Sequence, residues 1–370
     1  MKIGVDSRPL ANEITGVSRY VSESLKCLLN FEDNNKFFLY SPAKFAHDNL
    51  NSKKTTIKFK NYKDKYRRFI WSQTLLPYWA LKDEIDIFWS PSHRLPKFLP
   101  RKTARVVTIH DLVWKHASKT MTSQRRIMDS LMMPEAVKSA DIVVSVSQNT
   151  AIDLKNAFPD QVHKIRVIYP GLTILPEKNL THIKNFYIKM PYILFVGTIE
   201  PRKNLERLIK AFSKIKDKKI KLVIAGQRGW GNVDLEKYIN QFSLKNRVSL
   251  LGRVSNEQLS VLYKNCLFLA MPSLYEGFGL PIIEAMSFGK TVLTSNVSSL
   301  PEITNEAGIL INPLDESAIT NGLNLLLDEK VNQNFAKKAK INAQNFTWLN
   351  CSKNLLEIFD EAIKIRIEKC

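Results

Sequence analysis

The chain is poor in the residues and motifs that usually announce a chemistry. Its 370 residues hold four cysteines, Cys27, Cys266, Cys351 and Cys370, scattered without a CxxC pair. Neither a zinc site nor a disulfide framework is indicated, and a reducing cytoplasm fits. No apolar run reaches the roughly 18 residues of a membrane span, and the opening MKIGVDSRPL reads as a strand start, not a signal peptide. There is no GxxxxGK[ST] phosphate loop, no GxGxxG after the first strand, no HExxH, and no D-x-D pair to hold a divalent metal. The nearest acid pair, Glu84 and Asp86, begins a strand and is expected to cap its solvent end. GxSxG is missing too, which argues against a serine hydrolase. Acid is also in short supply: 35 Asp and Glu stand against 55 Lys and Arg, a formal charge of +20. Such a surplus favours anionic partners, whether nucleic acid, a phospholipid surface or phosphorylated substrates.

What remains is the material of a soluble globular protein, 44% hydrophobic and 24% charged, long enough that two domains are expected. Short apolar runs alternate with helical patterns. KIGVD, KFFLYS, IDIFWSPS, ARVVTIHD, ADIVVSVS and IRVIYPG are candidate strands, and this alternation argues for βαβ units and a parallel sheet. A Lys- and Asn-rich stretch, 172–190, reads as a linker. After it the rhythm restarts with YILFVGT, IKLVIAG, RVSLLG, LFLAMPS, KTVLTS and AGILINP, a second doubly wound domain. The expected division is 1–175, 190–350 and a final helical segment, 351–370, crossing back to the first domain. Two such domains would face a cleft, with ligands bound outside the carboxyl ends of the strands.

Four constellations stand at those strand ends. YEGFGLPIIEAMSFGK, 275–290, sets Glu276 and Glu284 around a Gly-Phe-Gly-Leu-Pro turn. Pro281 suits a helix start and Gly289 a position just past its end, so a helix is expected over about 281–288. Glu284 would then lie in its first turn, where the macrodipole favours an anion. Gly277, Phe278, Gly279 and Leu280 would offer backbone N–H groups, with the glycines bare enough for close approach. The plainer alternative is a turn and a helix-stabilising acid. In YILFVGTIEPRKNLERLIKAF a strand ends at Gly197, and Arg202 and Lys203 stand at the start of an amphipathic helix. Two cations there oppose the dipole unless an anion sits between them, which favours phosphate binding, Arg bidentate and Lys as a point charge. In TIHDLVW, His110 and Asp111 end a strand, and a structural histidine is as good a reading as a functional one. Gly16 lies between the first strand and a helix, as a phosphate-facing turn would, although an ordinary turn explains it equally. Separately, residues 53–68 hold eight Lys or Arg among sixteen positions, interleaved with Phe59, Tyr62 and Tyr66. This segment is either a solvated helix and loop or a patch for anionic lipid. Nucleic acid also matches it, but less well in an enzyme-like chain.

Together these residues resemble the retaining GT-B glycosyltransferases of family 4, also called group 1, and within them the bacterial mannosyltransferases. The resemblance spans nearly the whole chain. SLYEGFGLPIIEAMSFGKTVLTSNVSSLPEI is similar to the family's E-x7-E signature and the segments after it. VGTIEPRKN resembles its diphosphate-binding turn, and TIHDL and LGRVSNEQL fall where the family has them. The resemblance implies an α/β GT-B fold and a hexosyltransferase. Glu276 would bind donor-sugar hydroxyls, Glu284 the ribose, and Arg202 and Lys203 the diphosphate. His110 would sit beside the transferred sugar, Arg253 and Val254 would border the base, and Gly16 would approach the diphosphate, although Ser18 stands where the family often has glycine. It further implies a nucleotide sugar as co-substrate, GDP-mannose ahead of a UDP-sugar, with no metal and no other cofactor. The acceptor would be a lipid-linked oligosaccharide in O-antigen or capsule synthesis, reached by an enzyme that is cytoplasmic and peripheral on the inner face of the membrane, with no nucleic-acid partner. Retention is explained in the family by same-face attack, the leaving phosphate taking the acceptor's proton. A non-catalytic basic binding protein would explain the charge but not the Glu276/Glu284 and Arg202/Lys203 arrangement.

Overall fold

The computed structural model describes residues 1–11, 15–45, 50–62, 64–176, 188, 191–231 and 233–369. Most of the stretch read as a linker, 177–187 and 189–190, lies outside the described residues. The chain divides into two compact units. One takes Met1–Leu112, Arg126–Gly171 and Thr347–Cys370, the other Val113–Arg125 and Leu172–Phe346. Residues 113–125, which the sequence places in the first domain, thus group with the second unit.

The first unit is built on seven strands: β1 Lys2–Asp6, β2 Lys36–Ser41, β3 Thr55–Phe59, β4 Ile87–Ser90, β5 Ala104–Ile109, β6 Ile142–Ser145 and β7 Ile165–Val167. They run in the order β3-β2-β1-β4-β5-β6-β7, every pairing parallel. Such sheets are covered on both faces, so their strands are apolar throughout and not alternating. Ile87, Phe88 and Trp89 of β4 accordingly have no exposed surface. Strand β3 was not expected, because Thr55–Phe59 lies inside the basic segment. It is an edge strand bonded on one side to β2, and Lys58 on it is the kind of residue that keeps an edge from recruiting another chain. The helix Trp348–Glu368 buries Leu355, Phe359 and Ala362 within this unit. Near its end, Arg366 Nη2 donates to the buried Asp141 carboxylate at 2.7 Å.

The second unit carries β8 Tyr192–Val196, β9 Lys221–Ala225, β10 Val248–Gly252, β11 Leu269–Met271, β12 Val292–Ser295 and β13 Gly308–Ile311. Their order is β10-β9-β8-β11-β12-β13, again all parallel. In each sheet the order reverses direction beside the first strand, between β1 and β4 and between β8 and β11. Open parallel sheets present their ligand crevice at the carboxyl ends of the strands flanking such a switch point.

Candidate active site

In the second unit, the segments leaving β8 and β11 are stitched together. After Gly197 the chain makes a 3-10 turn, Pro201–Lys203, and Asn204 adopts a left-handed conformation (φ 59°) that starts the helix Leu205–Ser213. The Asn204 amide donates to the carbonyls of Pro272 (3.0 Å) and Pro313 (2.7 Å). The Leu274 N–H donates to the Arg202 carbonyl at 2.8 Å. The turn bearing the two cations is therefore fixed against the loop bearing Glu276. A further close approach sits beneath it: a Cβ on Gly226, just after β9, would lie 1.9 Å from the Gly197 carbonyl oxygen.

These anchors bring Arg202, Lys203 and Glu276 into one cluster. Arg202 Nη1 donates to Glu276 Oε2 at 2.6 Å and to the Tyr275 carbonyl at 2.6 Å. Lys203 Nζ donates to Glu276 Oε1 at 2.5 Å. Arg202 Nε and Nη2 both donate to Glu200 Oε1, at 3.0 and 2.6 Å. The anion expected between the two cations is thus, in this structure, a protein carboxylate. Burial by itself would raise the Glu276 carboxyl, but Arg202 and Lys203 outweigh it and hold the group at about 2. The Gly197 backbone lies beside the Lys203 chain, its Cβ position 3.5 Å from Cε. His116, in the segment 113–125, stacks on Tyr275 with ring centroids 5.5 Å apart.

Beyond Glu276 the turn Gly277–Gly279 is held by serines. The Glu276 N–H donates to Ser298 Oγ at 3.0 Å, and Ser299 Oγ donates to the carbonyls of Glu276 and Phe278, both at 3.0 Å. Gly279 (φ 110°) caps the helix Leu280–Ser287, with Pro281 in its first turn. One expectation needs correcting. Glu284 is the fifth residue of this eight-residue helix and no acid lies in the first turn, so the macrodipole does not account for it. Glu284 is instead buried and accepts from the Tyr263 hydroxyl at 2.9 Å. Glu276 and Glu284 are consequently held by different partners. Arg253 and Val254 follow the edge strand β10, Arg253 exposed and Val254 half-buried, two strands away from β8.

Gly16 and His110 belong to the first unit. Gly16 opens the helix Gly16–Leu29 behind Thr15; 12–14, the residues just before it, lie outside the described set. Ser18, unexpected where the resemblance favours glycine, has a local cause: it completes a capping box, its N–H donating to Thr15 Oγ1 and its Oγ accepting from the Thr15 N–H. His110, just past β5, packs its ring edge-on to Tyr20 of that helix (4.9 Å). Its Nε2 lies 2.8 Å from the Pro91 carbonyl, which can only accept, so Nε2 carries the hydrogen. His93, absent from the sequence reading, accepts the His110 backbone N–H on Nε2 at 2.9 Å. Burial first, then His93, push the His110 imidazole down to about 4.

Sequence reasoning also missed Glu200 as a partner of Arg202, and Tyr263 as the partner of Glu284. Tyr263 lies 21 residues upstream on the helix Asn256–Asn265 and looks like any core aromatic. Among the described residues no group of three or more His, Cys, Asp or Glu could hold a metal ion.

Comparison with known proteins decides the family. The model of the glycosyl transferases group 1 matches residues 177–346, and that of glycosyltransferase family 4 matches 14–174. This chain belongs to the group 1, family 4 glycosyltransferases. The glycosyltransferase is 29% identical to the O-antigen chain mannosyltransferase B of Escherichia coli, over 97% of this chain and 99% of that protein. It is 26% identical to the O-antigen chain mannosyltransferase RfbU of Salmonella typhimurium, over 60% of this chain and 62% of that one. Among solved structures it resembles sucrose-phosphate synthase from Thermosynechococcus elongatus, with a TM-score of 0.77 at 20% identity, covering 97% and 98% of the two chains. Anabaena HepE in complex with UDP-glucose gives 0.75 at 19% identity, covering 98% and 100%. These likenesses establish the fold as GT-B, and the family makes the glycosyltransferase a hexosyl-transferring enzyme.

Proposed function

We propose that this glycosyltransferase moves mannose from GDP-mannose, with retention, to a lipid-linked or oligosaccharide acceptor in bacterial surface polysaccharide synthesis. The observation that carries the reading is the convergence of Arg202, Lys203 and Glu276 at the β8/β11 switch point, in a chain whose end-to-end relative is named an O-antigen chain mannosyltransferase. Glycosyl transfer from a nucleotide sugar builds positive charge at the anomeric carbon and negative charge on the departing diphosphate. A preorganised cationic site lowers that barrier. Arg202 and Lys203 would receive the diphosphate, with the N–H groups of Gly277–Leu280 beside it and Gly197 admitting it closely. Glu276 would accept hydrogen bonds from sugar hydroxyls. Glu284, oriented by Tyr263, would accept from the ribose, with Arg253 and Val254 bordering the base. Gly16 and the neutral His110 would be the first unit's contribution. No metal is needed for this chemistry, because the cations are side chains. Same-face attack would put the acceptor's proton on the leaving phosphate, and a covalent sugar trapped on Glu276 would overturn that route.

A UDP-sugar donor is the second reading, favoured by the UDP-glucose held by HepE. Incubation with radiolabelled GDP-mannose and a panel of UDP-sugars, in the presence of membrane extract, separates the two. Label from GDP-mannose in the lipid fraction is expected, and label from a UDP-sugar alone would reverse the choice.

Peripheral contact with an anionic membrane belongs to the same proposal. No described helix is long and apolar enough to cross a membrane. In the first unit, however, Phe59 and Tyr66 of the basic segment 53–68, and Tyr78 beside it, are exposed by 45, 73 and 56%. An open cavity of about 390 Å³ lies between Ile57, Lys58 and Phe59 on one side and Tyr78, Trp79 and Lys82 on the other. Aromatic rings beside lysines suit the headgroup layer of a bilayer.

A further inference from the structure

All three Arg202 guanidinium nitrogens are engaged: Nε and Nη2 on Glu200, Nη1 on Tyr275 and Glu276. A diphosphate that bridges Arg202 Nη1 and Lys203 Nζ, as Glu276 does, would compete with that carboxylate for the same donors. The two carboxylates differ in how they are held. Glu200 sits two residues from Arg202 in the same turn, is 1% exposed, and gives both guanidinium contacts to Oε1, while its Oε2 has no hydrogen-bond partner among the described residues. A buried carboxylate with so few donors gains nothing by leaving its cation. Glu276 comes from the other loop and spans both cations, one oxygen on each, at 2.6 and 2.5 Å. Two oxygens bridging Arg202 and Lys203 are what a diphosphate would itself present. The Glu276 backbone is pinned separately at Ser298 and Ser299, so its side chain can swing without the loop unfolding.

We propose that the two carboxylates divide the work of one site: Glu200 is a positioning residue that keeps the Arg202 fork aimed, and Glu276 is a resident anion that donor phosphates displace. The proposal rests on the assignment of Arg202 and Lys203 to the diphosphate. Displacement frees the Glu276 carboxylate to meet the sugar, so phosphate arrival and sugar recognition become one exchange. It also lowers the apparent affinity for any bare phosphate ligand by the fraction of molecules in which Glu276 still occupies the cations.

Calorimetric titration of the full chain with inorganic pyrophosphate tests this, since that probe has no sugar or base. Glu276→Gln should bind pyrophosphate about tenfold or more tighter than wild type, because the internal competitor is gone. Glu276→Asp, too short to span both cations, should shift the same way and serves if Glu276→Gln folds poorly. Glu200→Ala should bind about tenfold weaker, with Glu200→Gln, which keeps an acceptor for the guanidinium, restoring most of the loss. Charge alone predicts otherwise: Glu276→Gln, Glu200→Ala and Glu200→Gln each remove a negative group and should all tighten, while Glu276→Asp keeps its charge and should bind as wild type does. Tightening in Glu200→Ala, or weakening in both Glu276 variants, overturns the division. The Arg202→Ala protein distinguishes the deeper failure: wild-type pyrophosphate affinity there would remove the diphosphate assignment itself.

Discussion

At Arg202 the fork of a guanidinium matters more than its charge. Its nitrogens reach Glu200, Tyr275 and Glu276 in three directions, a geometry that an ammonium cannot copy. Replacing it by alanine should lower kcat/KM on the order of 10²–10³, the usual cost of one charge-stabilising donor. Arg202→Lys should recover little of that loss, and steady-state kinetics with the preferred donor would show it. His110 supplies a pH dependence of a different origin. Its ring titrates near 6.5 when unfolded and at about 4 in the fold, so between those values the unfolded chain binds more protons. The stability it contributes is complete above pH 6.5 and is lost as pH falls toward 4, on the order of 3 kcal/mol in all. Melting curves across that window should fall less steeply for His110→Gln than for wild type.

At the scale of elements, the end of β8 is shaped by what Gly226 lacks. With its Cβ position 1.9 Å from the Gly197 carbonyl, Gly226→Ala must push backbone against backbone. A destabilisation of about 1–3 kcal/mol is expected, as in other overpacked sites, with a rise in KM for the donor because the cationic turn starts at this point. Unchanged melting and KM would show that β8 and β9 can separate here at no cost. The elements were largely legible in the sequence, because strands covered on both faces are written as unbroken apolar runs. Strand β3 was the exception: an edge strand need be neither apolar nor uncharged, and TTIKF looks like part of a basic loop. The two turns at Pro201 and Pro281 could be read from the sequence, but the direct pairing of Glu276 with Arg202 and Lys203 could not. Nor could the inner partners. Tyr263 and Glu284 stand on two different helices, Asn256–Asn265 and Leu280–Ser287, and meet only once the chain has folded, and His93 reaches His110 from a neighbouring strand end 17 residues upstream. Glu284 shows the limit of local rules most clearly, since a one-residue shift of the helix start, from Pro281 to Leu280, left it outside the first turn and under the control of a tertiary hydrogen bond.

For the whole molecule, a charge of +20 acts at longer range than any one contact. If the aromatic and basic face around Phe59 and Tyr78 meets anionic lipid, the protein should sediment with phosphatidylglycerol vesicles and not with phosphatidylcholine vesicles. Binding should weaken from about 0.05 to 0.5 M salt as the Debye length shrinks. Replacing Lys58, Lys60, Arg67 and Arg68 by glutamate should abolish sedimentation while leaving pyrophosphate affinity unchanged, since that titration reads the second unit. Vesicle binding that survived those replacements would move the contact elsewhere. The path of the chain has a consequence in time as well. The first unit is assembled from the beginning, middle and end of the sequence, with Thr347–Cys370 among its parts and the second unit intervening. Synthesis proceeds from the N-terminus, so Trp89 and Tyr20 emerge before the second unit's residues 172–346, and Phe359 and Trp348, the rings they pack against, emerge after them. The aromatic core of the first unit is thus closed only after residues 172–346 of the second unit have been made.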